Sequence, residues 1–503
     1  MGWAGSAATT WFCTLATSQR ALAALALLAL LHFVGACGEG QTSTRSAFTT
    51  PCPPPTSSCK QAGILNTNTG DCRYAFVANG TPCPKPSSDV CTLAAACSGG
   101  ACMPAQRQSC TALDACGLPI ACDAVAGCGG PQAASCSYPV TTAALSGCPD
   151  SDYSTPVHIG NQNFSMLIDT GSTSLAVAAA TCSSCGVSPS YAPSNSAVDL
   201  NNTTRASYGD NSGWNGEAFR DQVTIAANPS PVTVAIASIT QQTTSTPFFK
   251  PNSCIIDAPV ASSYSGIFGL GGAGLAAPFT TAFLDQLKTS GQQLPVVSVQ
   301  LCNNGGRMWL GGYDSSLVTS PPQYSPLDPS THYYAVTLTD LALGANSLGF
   351  RAADFGPAVV DTGTTALLLP TAVNARLTSQ LSADANFKAN FGSTYFTDGN
   401  CHPAGQNLTS AQLDALLPRL SLTLPVAGSS QTFTLSLPAT GSYLLPTSMA
   451  RGGTVYCSGL QAADIGFSIL GSAVLRSHLV IFHPGAQQVG FAPHAQQPCL
   501  TGM

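Results

Sequence analysis

The chain has 503 residues, of which 8% are charged and 44% hydrophobic, and it carries a formal net charge of −6. This length supports roughly two to four domains, and so apolar a composition excludes disorder as the state of the bulk. The acidic balance, with Lys60, Lys85, Lys250, Lys288 and Lys388 scattered, excludes a nucleic-acid surface.

At the N-terminus, Arg20 precedes an apolar run from Ala21 to Ala36, broken only by His32 and preceded by no acidic residue. The run is shorter than the ~20 residues a membrane span needs, and small residues come after it. Residues 1–37 are therefore expected to be a secretory signal peptide, cut between Ala36 and Gly40; an uncleaved anchor is the alternative. No later stretch approaches spanning length, so no C-terminal membrane anchor is expected.

Residues 38–150 have a different character. Thirteen cysteines fall between Cys52 and Cys148, separated by Gly, Pro, Ser and Ala with few large apolar residues. Apolar burial alone cannot hold such a segment, so a disulfide-stapled extracellular module is expected. It reads either as a binding, matrix-tethering or propeptide-like module or as a stapled spacer. Tight CxxC pairs and histidines are missing between Cys52 and Cys148, so zinc is not expected there, and no cofactor is implied elsewhere. Seven cysteines lie beyond Tyr153: Cys182, Cys185, Cys254, Cys302, Cys401, Cys457 and Cys499. Thirteen and seven are both odd. If all are oxidised and Cys37 stays out, at least one bridge joins the module to the downstream domain. Sequons at Asn79, Asn163, Asn201, Asn202 and Asn407 fit the same secreted, oxidising setting.

From Tyr153 onward, apolar residues alternate with hydroxyl residues. Short β-rich runs bounded by turn residues dominate: Thr233–Ile239, Val296–Leu301, Tyr333–Thr339, Thr432–Leu437 and Leu479–Phe482. A mainly β fold is predicted. Within it one triplet occurs twice. The first copy is Met166-Leu167-Ile168-Asp169-Thr170-Gly171-Ser172-Thr173. The second, 192 positions further on, is Ala358-Val359-Val360-Asp361-Thr362-Gly363-Thr364-Thr365. Two carboxylates a few ångström apart cannot both ionise, so such a pair shares a proton. One can then activate a water while the other donates to a carbonyl oxygen, which is what amide hydrolysis requires. Gly171 and Gly363 would let the backbone turn close to the carboxylates. Thr170 and Thr362 can tie the two turns together, and Ser172 and Thr364 can donate to the outer carboxylate oxygens.

These residues resemble the pepsin-like aspartic proteases, and the resemblance runs from about Tyr153 to Cys499. Ile159-Gly160-Asn161-Gln162 is similar to the opening turn. Tyr208-Gly209 is similar to the start of the flap, the hairpin that covers the cleft. Gly266-Ile267-Phe268-Gly269-Leu270-Gly271 and Ile469-Leu470-Gly471 resemble the two hydrophobic-glycine motifs, and Val480-Ile481-Phe482 with Gln488-Val489-Gly490-Phe491-Ala492 the closing hairpin. Within the family the residues most resemble the beta-secretase (memapsin) branch: Leu175-Ala176-Val177 after the first triplet, Trp214-Asn215-Gly216-Glu217 after the flap tyrosine, and Val297-Ser298-Val299-Gln300-Leu301-Cys302.

The resemblance implies a bilobal fold, with lobes at 151–322 and 323–503, and a monomer acting on protein or peptide substrates. It implies Asp169 and Asp361 as catalytic residues, with Gly171, Ser172, Tyr208, Gly209, Gly363, Thr364 and Thr365 at the substrate. It also implies disulfides Cys302–Cys499 and Cys401–Cys457. One of Cys182, Cys185 and Cys254 would then bond to the N-terminal module. The flap interval is about one residue longer than in that branch, which bears on the expected Tyr208–Trp214 contact. The basic prosegment usual in the family is not recognisable before Tyr153. The expected function is a secreted aspartic endopeptidase. The competing reading is an inactive pepsin-fold binding protein or a matrix-attached module.

Overall fold

The structure, a computed structural model, describes residues 51–494 apart from 56, 67–71, 79–80, 99–100, 129–139, 227–229, 252–253, 259–261 and 292. The expected signal peptide, Asn79, Cys136 and Cys499 lie outside the described residues. The chain falls into two compact units, Met1–Pro55 with Ala62–Ala75, and Thr56–Gln61 with Phe76–Met503. In the first, Ile64–Leu65 pairs with Cys72–Arg73 and the Cys52–Cys72 bridge closes the loop.

The second unit is mainly β. Its cysteine-rich part, from Thr56–Gln61 and Phe76 onward, is built on the hairpin Thr92–Ser98/Ala101–Arg107. The bridges Cys59–Cys97, Cys83–Cys102, Cys91–Cys122 and Cys110–Cys128 staple it. The sulfur clusters of this segment therefore consist of bonded sulfurs and offer no free thiolates.

The first lobe is a seven-stranded sheet in the order Val232–Gln242, Leu175–Ala178, Gly266–Gly269, Gln162–Asp169, Ser154–Ile159, Gly213–Ile225 and Val198–Ser207. The second lobe carries a five-stranded sheet, in which Pro357–Val360 runs parallel to Ser468–Leu470, and a four-stranded sheet that contains Leu420–Pro425 and Thr432–Leu437. The strand predicted at Tyr333–Thr339 is shorter, Ala335–Thr337.

A six-stranded sheet joins the lobes, in the order Gln323–Pro326, Gln488–Pro493, His478–His483, Val297–Leu301, Gly306–Leu310 and Thr141–Leu145. Its central strands Val297–Leu301 and His478–His483 are buried at every position. Such unbroken burial means that both faces of the sheet are covered. Val297, Val299, Leu301, Val480 and Phe482 point into the large core shared by the lobes. Leu479 and Ile481 point the other way, into a smaller cluster with Trp309, Tyr324 and Leu118.

Leu118 belongs to the cysteine-rich segment and is 1% exposed. Burying one such side chain contributes about 1.5–3 kcal/mol. Polar contacts surround it: Tyr324 Oη donates to the Gly117 carbonyl (3.0 Å) and Gln488 Nε2 to the Cys110 carbonyl (3.1 Å). The edge strand Thr141–Leu145 also precedes Tyr153. The part of the segment around Leu118 thus packs on the joining sheet, and Thr141–Leu145 is one of the strands of that sheet. Burial pushes His478 and His483 in this sheet down to about 4, and His483 Nδ1 accepts from the Ala486 N–H (3.2 Å), a role open only to the neutral ring.

Candidate active site

Each Asp-Thr-Gly turn begins where a buried strand runs out. In the first lobe Gln162–Asp169 lies parallel to Gly266–Gly269, with Asp169 opposite Gly269. In the second, Val360 lies opposite Leu470 in the same parallel arrangement. Behind each turn the hydrophobic-glycine strand also pairs antiparallel with the strand that comes after the triplet, Leu175–Ala178 or Leu367–Leu369. The two lobes thus deliver the same turn to their shared boundary.

Four hydrogen bonds lock the turns together. Thr170 N donates to Thr362 Oγ1 (3.1 Å) and Thr362 N to Thr170 Oγ1 (3.0 Å). The hydroxyls pass the connection on, Thr170 Oγ1 to the Val360 carbonyl (3.0 Å) and Thr362 Oγ1 to the Ile168 carbonyl (2.9 Å). Both threonines are buried, so every polar atom used here would otherwise be left unpaired.

The carboxyls face each other within reach of a single N–H: Gly171 N donates to Asp169 Oδ1 (2.8 Å) and to Asp361 Oδ1 (3.0 Å). A Cβ on Gly171 would lie 2.8 Å from the Asp361 carboxyl, and one on Gly363 would lie 2.5 Å from Asp169 Oδ1. Only glycine permits this approach at either place. Asp361 accepts further bonds from Gly363 N (2.9 Å) and Thr364 Oγ1 (2.6 Å). The Ser172 hydroxyl, the counterpart of Thr364, is buried and makes no well-formed hydrogen bond, although as a polar neighbour it still favours ionised Asp169. Burial first, and the adjacent Asp361 second, push the Asp169 carboxyl well above the usual carboxylate range.

The flap is the hairpin Val198–Ser207/Gly213–Ile225. Tyr208 opens its turn, and Trp214 Nε1 donates to Tyr208 Oη (2.9 Å), so the longer interval does not prevent this contact. Burial, and then the charge of Asp169, hold the Tyr208 phenol well above its usual range, so it is neutral. Gly209 is exposed at the tip with open space around it. The Thr365 backbone is tied down behind the turn, its carbonyl accepting from Ala473 N (2.9 Å). The Cys401–Cys457 bridge is formed. Cys302 is disulfide-bonded, and its expected partner Cys499 lies outside the described residues. Cys182 pairs with Cys185, while Cys254 pairs with Cys148, so the bridge to the upstream segment that parity requires is made by Cys254.

Other residues at the flap carry no sequence motif. Phe248 stacks on Tyr208 with ring centroids 5.3 Å apart, and Phe249 packs edge-on against Phe248. Lys250 pairs with Asp210 in the flap turn. Burial works against the Asp210 charge, but Lys250 and Ser212 hold its carboxyl below the usual range. Tyr264 Oη donates to Asp152 Oδ2 (3.3 Å), and burial pushes Asp152 up to about 6. The adjacent Phe248-Phe249 pair was the only visible signal, and it does not by itself point to a cleft.

Two lobes that present crossed Asp-Thr-Gly turns beneath a tyrosine-bearing hairpin define the aspartic-type endopeptidases. The chain belongs to the eukaryotic aspartyl protease family, which it matches over residues 152–494. It is 28% identical over 342 residues to an aspartic protease of Phaffia rhodozyma (67% of this chain, 75% of the relative). It is 28% identical over 349 residues to penicillopepsin-3 of Penicillium janthinellum (68% and 79%). A beta-secretase of Strongylocentrotus purpuratus is 27% identical over 379 residues (69% and 67%), so fungal pepsins and a secretase resemble the chain at the same level.

Proposed function

We propose that Asp169 and Asp361 are the catalytic pair of a secreted aspartic endopeptidase, with Asp169 carrying the shared proton and Asp361 acting as the base. The observation that carries this reading is the Gly171 N–H, which reaches both carboxyls, beside the perturbation of Asp169 by the neighbouring Asp361. Asp361 accepts from three donors and Asp169 from one, which favours charge on Asp361 and the proton on Asp169.

A water held between the carboxyls gives a proton to Asp361 as its oxygen attacks the peptide carbonyl. Asp169 passes its proton to the carbonyl oxygen, giving a neutral gem-diol. Asp361 then protonates the departing nitrogen as the C–N bond breaks, and the diol proton returns to Asp169, so the starting state is restored. Gly171, Ser172, Gly363, Thr364 and Thr365 line the floor against which the substrate lies, and Tyr208 with Gly209 closes over it. Secretion is supported by the leader-like N-terminus and the abundance of disulfides, with residues 38–150 as an extracellular module ahead of lobes 151–322 and 323–503. Among the described residues no helix is long and apolar enough to cross a membrane.

The test is digestion of a peptide library by the purified protein between about pH 3 and 7, the range in which such a dyad holds one proton. Cleavage that is blocked by a statine-type transition-state analogue is expected. A protein that cleaves nothing across that range is not a protease.

A further inference from the structure

Between the strand that ends at Gln242 and the strand Gly266–Gly269, the chain makes an excursion out of the first lobe. It leaves at the flap, where Phe248 stacks on Tyr208 and Lys250 pairs with Asp210. It returns past Tyr264, whose hydroxyl bonds Asp152, and enters the strand Gly266–Gly269 at Gly266, opposite Met166 and three residues short of Asp169. The excursion therefore leaves beside the flap and re-enters the sheet at the end of the strand away from the Asp169 turn.

In between, it reaches the second lobe. Ile255 forms a parallel bridge with Ser448, and Ile256 N donates to the Ser448 carbonyl (3.0 Å). Ala450 N donates to Asp257 Oδ1 (2.7 Å). Ser448 ends one strand of the hairpin Leu444–Ser448/Thr454–Ser458, and Ala450 lies in its turn. The crossing is tethered as well, because Cys254 is bonded to Cys148. Asp150, close by on the same connection, lies 3.3 Å from Cys457 Sγ on that hairpin. A segment that leaves the first lobe beside the flap and hydrogen-bonds the second lobe bridges the two lobes.

We propose that residues Cys254–Ala258 form a strap that closes one end of the substrate cleft, so that the enzyme prefers chains that terminate within a few residues of the scissile bond on that side. The inference rests on the proteolytic reading above and narrows its substrate class to short peptides and polypeptide termini. A bound peptide lies extended and advances about 3.5 Å per residue. Each added residue on the strapped side brings the chain closer to the backbone of Ile255–Asp257. A longer chain must leave the groove and give up its contacts there, or displace the strap.

The test uses the full-length protein and the oxidised insulin B chain, digestion of which locates a cleaved bond. Peptides built on that bond carry from about two to about eight residues on each side in turn, a reach of up to about 28 Å. The expected result is that kcat/KM falls about tenfold or more as one side lengthens, while the other side tolerates extension. Asp257→Ala removes the anchor on Ala450, and Cys148→Ser with Cys254→Ser removes the tether. Each change should bring the long peptides back toward the short ones and leave kcat/KM for the short ones unchanged. Asp257→Ala keeps every disulfide, so the test does not depend on the double variant folding. Equal kcat/KM along both series, or a length profile identical in Asp257→Ala and the parent, overturns the strap while leaving the protease intact. Failure to cleave even the shortest peptides overturns the proteolytic reading and the strap's role with it.

Discussion

At Asp361 the carboxyl accepts bonds from Gly171 N, Gly363 N and Thr364 Oγ1; at Asp169 it accepts from Gly171 N alone, and the hydroxyl that corresponds to Thr364, that of Ser172, makes no well-formed hydrogen bond. The two turns share the triplet, the parallel strand behind it and the crossed threonines, yet they present different electrostatics to the same cleft. Near-identical local sequence sets the shape of a turn. The donors that converge on it set which carboxyl keeps a proton at a given pH.

The largest expected effect comes from removing either carboxyl. Asp169→Asn and Asp361→Asn should each lower kcat/KM by about 10³-fold or more, since neither can replace the other in a shared-proton mechanism. Steady-state kinetics on a peptide substrate, with circular dichroism to show an unchanged fold, checks this; an active single variant breaks the pairing. Next come the glycines. Gly363→Ala and Gly171→Ala put a methyl group against the opposite carboxyl, and a displacement of about 1 Å there should cost about 100-fold in kcat.

Thr170→Val or Thr362→Val removes hydroxyl bonds that serve both turns. Each should lower unfolding stability by about 1–3 kcal/mol in urea titrations, and the double variant should fall short of the sum because the bonds are shared.

The mildest and sharpest comparison sets Thr364→Ala against Ser172→Ala. Losing the Thr364 donor removes one of the three hydrogen bonds that favour charge on the Asp361 carboxyl. The acidic limb of the pH–kcat/KM profile should then move up by about one pH unit. Ser172→Ala removes no well-formed hydrogen bond and should leave that limb in place. The alkaline limb reports loss of the Asp169 proton, so activity falls as pH rises through a pKa already held high by burial. Equal shifts in the two variants would erase the proposed division of roles.

Much of this site could be read before any coordinates. The apolar run before each triplet and the hydroxyls after it are local properties, and local sequence determines how a strand ends in a turn. The flap tyrosine and Trp214 are legible only through resemblance to the family, and the Trp214–Tyr208 bond absorbs the extra residue between them. What stayed hidden depends on contacts between distant positions. Parity required a bridge from the cysteine-rich segment to the lobes, but spacing could not choose Cys254 over Cys182 or Cys185. Lys250, Asp210 and Asp152 sit in no motif, and they matter only through contacts that the fold makes, Lys250 with Asp210 in the flap turn and Asp152 with Tyr264. Leu118 is a lone leucine among small residues, and nothing in its neighbourhood announces that it packs on Leu479 and Ile481, far downstream, and seals the back of their sheet.

The bridges differ in how far along the chain their partners stand. Those of the cysteine-rich segment close over separations of 18 to 38 residues, whereas Cys148–Cys254 spans 106. A ribosome extends a chain at about 5–20 residues per second, and N-terminal parts fold first. The short bridges can therefore form while the first lobe is still being made, and Cys148 must remain a thiol for at least about 5 s longer, until Cys254 emerges. During that interval Cys148 is open to mispairing with the cysteines just ahead of it, and the last covalent step in this part of the chain is the one that joins Cys148 to the excursion from the first lobe.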